Sequence, residues 1–321
     1  MSISYIYQSV TGCTQIESIS VTDNHTAPTA TALVVCGATT LDIGDEVTID
    51  IGYNSNHQQV LIGYAKDIQL REPEKLYNIT ISNIMIRAVD YYLVSSNPDK
   101  PFKRSNIKAE NLIRDLLKIS GITSYTADVT NFTFAVHNPM EVNLTSIYDY
   151  CRFIADILAY SVYADSSGVA HFANRRPYVV GSDVSVATIT DYDILDFLYS
   201  YSDNDLRNRI VVYGSEGIYA EAKAVSPYLP SGYYKSAAVS APGVIDTQNM
   251  ATQSASYNLA LLNRLTYRCN MTIIGNPSLA VRQVVTLDKP DIAGVSGDWY
   301  VYGIEHSISK DGYVTSIELR K

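Results

Sequence analysis

Two nine-residue stretches that lie far apart in the chain follow one pattern. Residues 41–49 read LDIGDEVTI, and residues 279–287 read LAVRQVVTL. Both fit L-x-(I/V)-x-x-x-V-T-(I/L), in which apolar and polar residues alternate toward the end. Alternation with period two predicts a half-buried β-strand, so each stretch should lead into a strand of an antiparallel sheet.

Two further blocks follow in the same order after each of these stretches. Residues 62–68, IGYAKDI, resemble residues 302–308, YGIEHSI; residues 77–81, YNITI, resemble residues 313–317, YVTSI. Three collinear blocks indicate that one β module occurs twice in this chain. A duplicated module lets one interface be used repeatedly in a ring and halves the number of subunits that the ring needs.

The middle of the chain has a different composition. Residues 96–101, SNPDKP, resemble a linker, and apolar residues at helical spacing predict helices over 107–119 and 146–159. Ser105 or Asn106 could cap the first helix, and Gly121 stands where a left-handed residue ends a helix. A hairpin is expected over 160–172, so this part reads as a small α+β domain.

The second helix begins with a capping-box pattern in which Ser146 is followed three residues later by Asp149 instead of Glu. Strands return from about residue 187, with one helix predicted over 250–264. The chain closes with a hairpin whose turn contains Asp311-Gly312, a favoured tight-turn pair.

These patterns predict a mainly β fold with an α+β insert. Two antiparallel β modules, each a β-barrel or a sandwich, would flank the small domain. The expected boundaries are 1–95 for the first module, 96–182 for the α+β domain, and 183–321 for the second module with its inserted helix.

Composition limits the function. The 321 residues carry a net charge of −9, and the longest basic runs are Arg175-Arg176 and Arg207-Asn208-Arg209. Nucleic-acid binding needs clustered Lys and Arg side chains, so DNA binding is not expected. No apolar run approaches the roughly 20 residues needed to cross a bilayer, and the first residues do not resemble a signal peptide. We therefore expect that the protein does not insert into a membrane and that it is synthesised in a cytoplasm.

The cysteine and aromatic contents are consistent with a reduced, β-rich protein. The four cysteines form no C-x-x-C pair, so buried, reduced thiols are expected. Tyrosine is unusually frequent, with 26 Tyr against 6 Phe and 1 Trp. Tyrosine suits half-buried strands and wet interfaces, which favours a protein with extensive subunit contact.

In this order, the segments resemble the hub proteins of bacteriophage tails. That group contains the baseplate hub of contractile tails, the late control protein D family and the hub part of type VI secretion spikes. The resemblance rests on residues 43–49, 60–64, 86–93, the helices at 107–119 and 146–159, the hairpin at 160–172, residues 205–214 (DLRNRIVVYG) and residues 299–319.

The resemblance implies a structural virion component, assembled in the bacterial host cytoplasm, whose two antiparallel β modules are tail-tube-like. A homotrimer would form a ring with a central channel between the six-fold tail tube and a three-fold tip or spike. Its partners would be the tail tube protein, the central spike or tip protein, other baseplate proteins and the tape measure protein. Genome DNA would pass through the channel without specific binding, and acidic residues facing the channel would keep it from adhering.

Candidate chemical sites are weak in this sequence. The aspartates Asp191, Asp193, Asp196, Asp203 and Asp205 could bind a cation, but the calcium-loop pattern fails because Asn208 and Gly214 stand where Gly and Glu are needed. The histidines His25, His57, His137, His171 and His306 lie too far apart for a zinc motif. Neither G-x-S-x-G nor a P-loop occurs. No enzyme activity, catalytic residue, cofactor or metal is therefore expected.

An aromatic run supports an alternative function. Tyr219, Tyr228, Tyr233 and Tyr234 lie near several prolines and could form a platform on which sugars stack. The alternative is a peripheral receptor-binding or adhesin-like tail protein that binds a host surface glycan; the other reading is a loop that docks on a neighbouring subunit.

Overall fold

The computed structural model describes residues 5–54, 56–94, 102–130, 132–134, 140–142, 144–174, 183–263 and 266–321. The predicted linker at 96–101, the Arg175-Arg176 pair and His137 lie outside these residues. Within them the chain is mainly β with a large antiparallel sheet, which confirms the predicted fold class. Among the described residues, no helix has the length and apolar character that a membrane span requires.

The N-terminal part is a series of strands joined by short turns. They are β1 (Ile6–Val10), β2 (Cys13–Asn24), β3 (Thr31–Thr39), β4 (Glu46–Tyr53), β5 (Asn56–Arg71) and β6 (Leu76–Asn83).

The middle part combines helices with short strands. They are α1 (Ile86–Asp90), β7 (Tyr92–Leu93), β8 (Phe102–Arg104), β9 (Ile107–Lys108), α2 (Ala109–Ile119), β10 (Tyr125–Ala127), β11 (Thr133–Phe134), β12 (Met140–Val142), β13 (Thr145–Ser146), α3 (Ile147–Leu158), β14 (Ser161–Ala164) and β15 (Ala170–Ala173).

The C-terminal part returns to strands around one long helix. They are β16 (Ser185–Thr190), β17 (Ile194–Ser202), β18 (Arg209–Tyr213), β19 (Tyr219–Lys223), β20 (Ser236–Ser240), α4 (Gln248–Leu262), β21 (Thr266–Ile274), β22 (Val284–Asp288), β23 (Gly297–Ser309) and β24 (Gly312–Arg320). The expected C-terminal hairpin is β23–β24, and Gly312 at its turn has φ +129°.

Twelve of the described strands form one sheet. Its order is β1-β4-β5-β6-β3-β2-β23-β24-β21-β17, with β22 beside β23 and β16 beside β22. Each half contributes the same arrangement: β4-β5-β6-β3-β2 from the first half corresponds to β22-β23-β24-β21-β17 from the second. The chain thus contains one five-stranded unit twice, joined edge to edge through β2 and β23.

The irregularities of the sheet repeat as well. A bulge interrupts the pairing of β5 with β6 in the first half and of the equivalent β23 with β24 in the second. Another bulge interrupts the pairing of β2 with β3 and of the equivalent β17 with β21. The bulges lie between Ala65 and Asp67, Val301 and Gly303, Ile16 and Ser18, and Ile194 and Asp196. Because a bulge inserts one residue at a defined place, these four positions fix the correspondence between the halves residue by residue.

The repeat seen in the sequence is confirmed in its first block and shifted in the others. Val47 opposes Gly63 in the first half, and Val285 opposes Trp299 in the second, so the two valines are equivalent, as the sequence pattern implies. Tyr64, however, corresponds to Tyr300, not Ile304, and the third block is displaced by two residues. Both shifts are even, so they leave the alternation of inward and outward side chains unchanged, and the sequence pattern cannot detect them.

Three hydrophobic clusters fill the molecule. One lies in the first half around Val34, Ile49 and Ile79, and one in the second half around Val285 and Trp299. The third contains α2, α3 and their strands, and it also takes up β18, β20 and α4 from the C-terminal part. Ser254 of α4 accordingly donates a hydrogen bond to Ile157 O at the end of α3, 2.8 Å away.

The segment between β17 and β21 therefore packs on the helical core, although it is inserted in the second half. In the first half the equivalent connection, from β2 to β3, is a short turn. The expected domain boundaries at 95/96 and 182/183 adjoin residues outside the described ranges, and they remain predictions.

The N-cap predicted at Ser146 for the second helix is confirmed. Ser146 Oγ accepts a hydrogen bond from Asp149 N (3.0 Å) and donates one to the Asp149 carboxylate (2.6 Å). The cap predicted for the first helix is wrong. Helix α2 begins at Ala109 after Lys108, without a side-chain cap, because Ile107 and Lys108 pair with β11 as a short strand.

We predict that Ser146→Ala lowers the free energy of unfolding by about 1 kcal/mol, the usual cost of removing an N-cap hydroxyl. Ser105→Ala is the matched control, since Ser105 precedes a helix that it does not cap. Urea unfolding followed by circular dichroism measures both. Equal losses in the two variants would contradict the assignment of the cap.

Candidate assembly interface

The two halves of the sheet join along one strand pair, which we call the internal seam. It is antiparallel, running from Ile19 opposite Ile308 to Asn24 opposite Gly303. Ser20 Oγ donates to Glu305 Oε1 across it at 2.8 Å. Ile308 belongs to the hydrophobic cluster of the first half, so the apolar packing is continuous through the seam.

A buried histidine lies on the inner face of the seam. His306 opposes Val21 and is 3% exposed. Its Nε2 donates to Leu279 O at 3.1 Å, and its Nδ1 lies 2.9 Å from Tyr313 Oη and 3.2 Å from Thr315 Oγ1. Because the carbonyl can only accept, Nε2 carries the proton and Nδ1 accepts. Burial lowers the pKa of His306 to about 4, although the hydrogen bond to Leu279 opposes this shift.

An arginine ties the seam to the helical part of the molecule. Arg282, only 5% exposed, donates to His25 O at 3.1 Å and lies 3.6 Å from the Asp23 carboxylate at the end of β2. Its guanidinium is also 4.0 Å from the ring centre of Tyr163 in β14. Burial raises the pKa of Asp23, and the charge of Arg282 opposes that rise. Three separate segments are thereby held at one point.

A cleft with a volume of about 750 Å³ lies between α3, α4 and the end of the second half. Its cationic lining residues are Arg152, Arg207, Arg268, Arg320 and Lys321. Carboxylates of the same chain pair with several of these cations: Asp156 with Arg152 (3.8 Å), Asp205 with Arg268 (3.0 Å) and Glu318 with Arg320 (2.8 Å). Internal pairing thus neutralises much of the positive charge of this cleft.

The aspartates that could have formed a cation site are separated in the structure. Three of them form ion pairs: Asp191 with Lys289 (2.6 Å), Asp203 with Lys235 (2.6 Å) and Asp205 with Arg268 (3.0 Å). Asp193 accepts from Thr190 N and Thr190 Oγ1 in a turn, and Asp196 is exposed on β17. Within the described ranges, no group of three or more His, Cys, Asp or Glu side chains is arranged to hold a metal ion.

The remaining histidines have individual partners. His57 Nδ1 lies 3.0 Å from the Asp50 carboxylate, His171 Nε2 lies 2.8 Å from the Asp165 carboxylate, and His25 Nδ1 lies 3.0 Å from Tyr300 Oη. The four cysteines, Cys13, Cys36, Cys151 and Cys269, are free and buried, as expected from their spacing.

The aromatic run of the sequence lies on and beside the small sheet β19-β18-β20, away from the seam. Tyr219 is in β19, and Tyr228, Tyr233 and Tyr234 follow in the connection to β20; all four are exposed. Glycan binding by this loop stays a prediction.

Sequence reasoning missed the open edge of the sheet at β17. This strand pairs with β21 on one side, and no described strand covers its other side. Leu195, Leu198 and Tyr201 on it are 59%, 61% and 67% exposed. The signal in the sequence was the stretch 194–202, ILDFLYSYS, in which large apolar side chains fall on both faces of one strand.

We predict that His306 makes stability depend on pH. Its pKa is below the ordinary value of 6.5 in the folded chain, so the unfolded chain binds the extra proton as pH falls. Between pH 7 and pH 5 this should remove about 2 kcal/mol from the free energy of unfolding. Urea titrations at a series of pH values measure it.

His306→Gln should flatten that dependence between pH 5 and pH 7, whatever its effect on stability at pH 7. His57→Gln is the control, because His57 is on the surface beside Asp50. An unchanged slope in His306→Gln would contradict a neutral, buried imidazole at the seam.

No protein-family model and no curated protein matches this sequence. Solved structures do match it. A tail protein from Neisseria meningitidis MC58 superposes with a TM-score of 0.71 at 12% identity, covering 98% of this chain and 96% of that chain. The 43 kDa tail protein of prophage MuSo2 from Shewanella oneidensis gives a TM-score of 0.70 at 14% identity, covering 99% and 98%.

A component of the type VI secretion system from Escherichia coli, described as structurally similar to bacteriophage T4 tail proteins, gives a TM-score of 0.62 at 8% identity. It is matched over 98% of this chain and 76% of that chain. At such identities the likeness concerns the fold, and it agrees with the resemblance found in the sequence. Over almost its whole length, this chain has the fold of phage and prophage tail proteins.

Proposed function

We propose that this chain is a structural tail component that works as a trimeric hub. Three copies would form a ring around a channel, joining the six-fold tail tube to a three-fold tip or spike and letting DNA pass. The observation that carries the proposal is the duplicated five-stranded unit, with the same strand order and the same bulges in both halves. Three such chains supply six equivalent β units, which is the number that matches six-fold to three-fold symmetry.

The polar groups of the molecule are consistent with a structural role. Several of the described aspartates and histidines are engaged in ion pairs, turns or buried hydrogen bonds, and the solved structures similar to this chain include tail proteins. We propose no catalytic role. The net charge of −9 would limit adhesion of DNA where acidic side chains face the channel.

The proposed partners are those of a hub. They are the tail tube protein on one side of the ring, the spike or tip protein on the other, and the tape measure and other baseplate proteins nearby. Solved structures similar to this chain include one of a complex of VgrG with PdpA from Francisella, matched with a TM-score of 0.57 at 9% identity. The proposed location is the virion tail, after assembly in the host cytoplasm.

We predict a mass of three times 35.4 kDa for the purified chain by light scattering, and a ring with a central hole for the same peak in negative-stain images. Measurement over a range of protein concentrations separates a weak trimer from a monomer. A compact trimer without a channel, or a closed ring of another symmetry, would contradict the hub. Either result would favour a peripheral glycan-binding tail protein, to be tested on a glycan array.

A further inference from the structure

We propose that β17 of one copy pairs with the second half of β5 in the next copy, in the register of the internal seam. The proposal rests on the proposed ring and names the contact that closes it. Both strands have an open edge among the described residues. Strand β17 pairs with β21 alone, and β5 pairs with β4 only up to Tyr64, so from Asp67 to Arg71 it has β6 on one side only.

The duplicated halves show which strands are equivalent. The bulges align β2 with β17. Ile19 opposes Val34 in the first half, and the equivalent residue Phe197 opposes Met271 in the second. The other pair of bulges aligns β23 with β5. The internal seam pairs β2 with β23, and the equivalent pair, β17 with β5, is absent within one chain because these two strands lie at distant positions of the sheet.

Applying this correspondence to the internal seam gives the register between copies. Thr22 opposite Glu305 becomes Ser200 opposite Gln69. The inward-facing pairs become Tyr199 opposite Leu70 and Tyr201 opposite Ile68. The pairs at the two ends are Leu198 opposite Arg71 and Ser202 opposite Asp67.

The side chains at these positions fit such a contact. In the internal seam His306 is 3% exposed, whereas its counterpart Leu70 is 50% exposed; Tyr201, on the same face of β17 as Tyr199, is 67% exposed. Leu70 and Tyr201 are at positions that face the core side of their strands, and the described residues of the single chain leave both exposed. Pairing in the inferred register would bury both and leave Ser200 and Gln69 on the outer face.

The inferred pairs also avoid electrostatic conflict. None of the five brings two like charges together, and like charges directly opposite each other would destabilise a strand pair. The row of unpaired backbone N–H and C=O groups on an uncovered edge is a template for another strand. Arg71 reaches Glu74 of its own chain at 3.6 Å, on the exposed end of the contact.

A second copy is the occupant that the structure favours. Each chain carries one edge equivalent to β2 and one edge equivalent to β23, so copies can join head to tail through the same kind of seam. Contacts of this heterologous type close into a ring when the rotation between copies is a fraction of a full turn. The same seam would then occur six times around a trimer, three times within chains and three times between them.

The test is disulfide cross-linking of the exposed pair Ser200→Cys and Gln69→Cys in one chain. Directly opposite strand residues have Cα atoms about 4.5–5.5 Å apart, which a disulfide spans. The variant should oxidise to covalent species up to a trimer on a non-reducing gel. Native cysteines should contribute little, since all four are buried.

Two matched controls fix the register. Thr22→Cys with Glu305→Cys occupies the equivalent positions of the internal seam and should form an intrachain disulfide. Ser200→Cys with Leu70→Cys is slipped by one residue, places the thiols on opposite faces, and should not cross-link.

The outcomes separate this inference from the proposed function. A trimer by light scattering that fails to cross-link through Ser200→Cys and Gln69→Cys, while the intrachain control oxidises, overturns the contact and leaves the hub standing. An open-ended covalent ladder without a closed trimer supports the contact and overturns the hub. A monomer that forms no covalent species at any concentration overturns both.

A charge at the inferred contact gives an independent prediction. Leu70→Glu should raise the concentration at which the trimer dissociates about tenfold or more, because association would bury a carboxylate without a partner. Leu33→Glu is the control, since Leu33 is 48% exposed on β3, away from both open edges. Both variants should keep the melting temperature of the single chain. Equal loss of assembly in the two variants would overturn the contact.

Discussion

The backbone hydrogen bonds between β2 and β23 are the interaction on which the rest of this structure depends. They convert two similar five-stranded units into one sheet of twelve described strands, and they bring residues nearly three hundred positions apart into register. The buried imidazole of His306 and the guanidinium of Arg282 lie beside this seam, and each satisfies polar groups from more than one segment. Without the seam, Arg282 would lose its hydrogen bond to His25 O and its ion pair with Asp23, because both partners lie at the end of β2 and just beyond it.

The same seam explains how a large helical region can be added without disturbing the sheet. The middle of the chain lies between the two halves, and the excursion from β17 to β21 replaces what is a short turn in the first half. Both insertions pack on one helical core, through contacts such as the Ser254 hydrogen bond to Ile157. Connections between strands tolerate such growth because the pairing of the strands does not depend on them.

Duplication also determines where the molecule is incomplete. Two five-stranded units in one chain need one seam between them, and among the described residues they leave open the equivalent edges of β17 and of the second half of β5. The exposed tyrosine and leucine side chains at these edges have the composition of an interface that a single chain cannot cover. The abundance of tyrosine, noted in the sequence as a sign of subunit contact, is thus consistent with side chains that are half-buried alone and buried in an assembly.

The sequence by itself determined the elements whose signals are local. Apolar spacing located α2 and α3, the Ser146–Asp149 pair located one helix start, and the VTI and VTL stretches placed β4 and β22 in equivalent positions. Tertiary structure decided the rest. The even shifts of the second and third blocks, the strand that begins before α2 and the packing of α4 on the helical core all depend on pairing between distant segments. The open edge of β17 was decided in the same way, because a strand's pattern shows which face is apolar but not whether another strand will cover its edge.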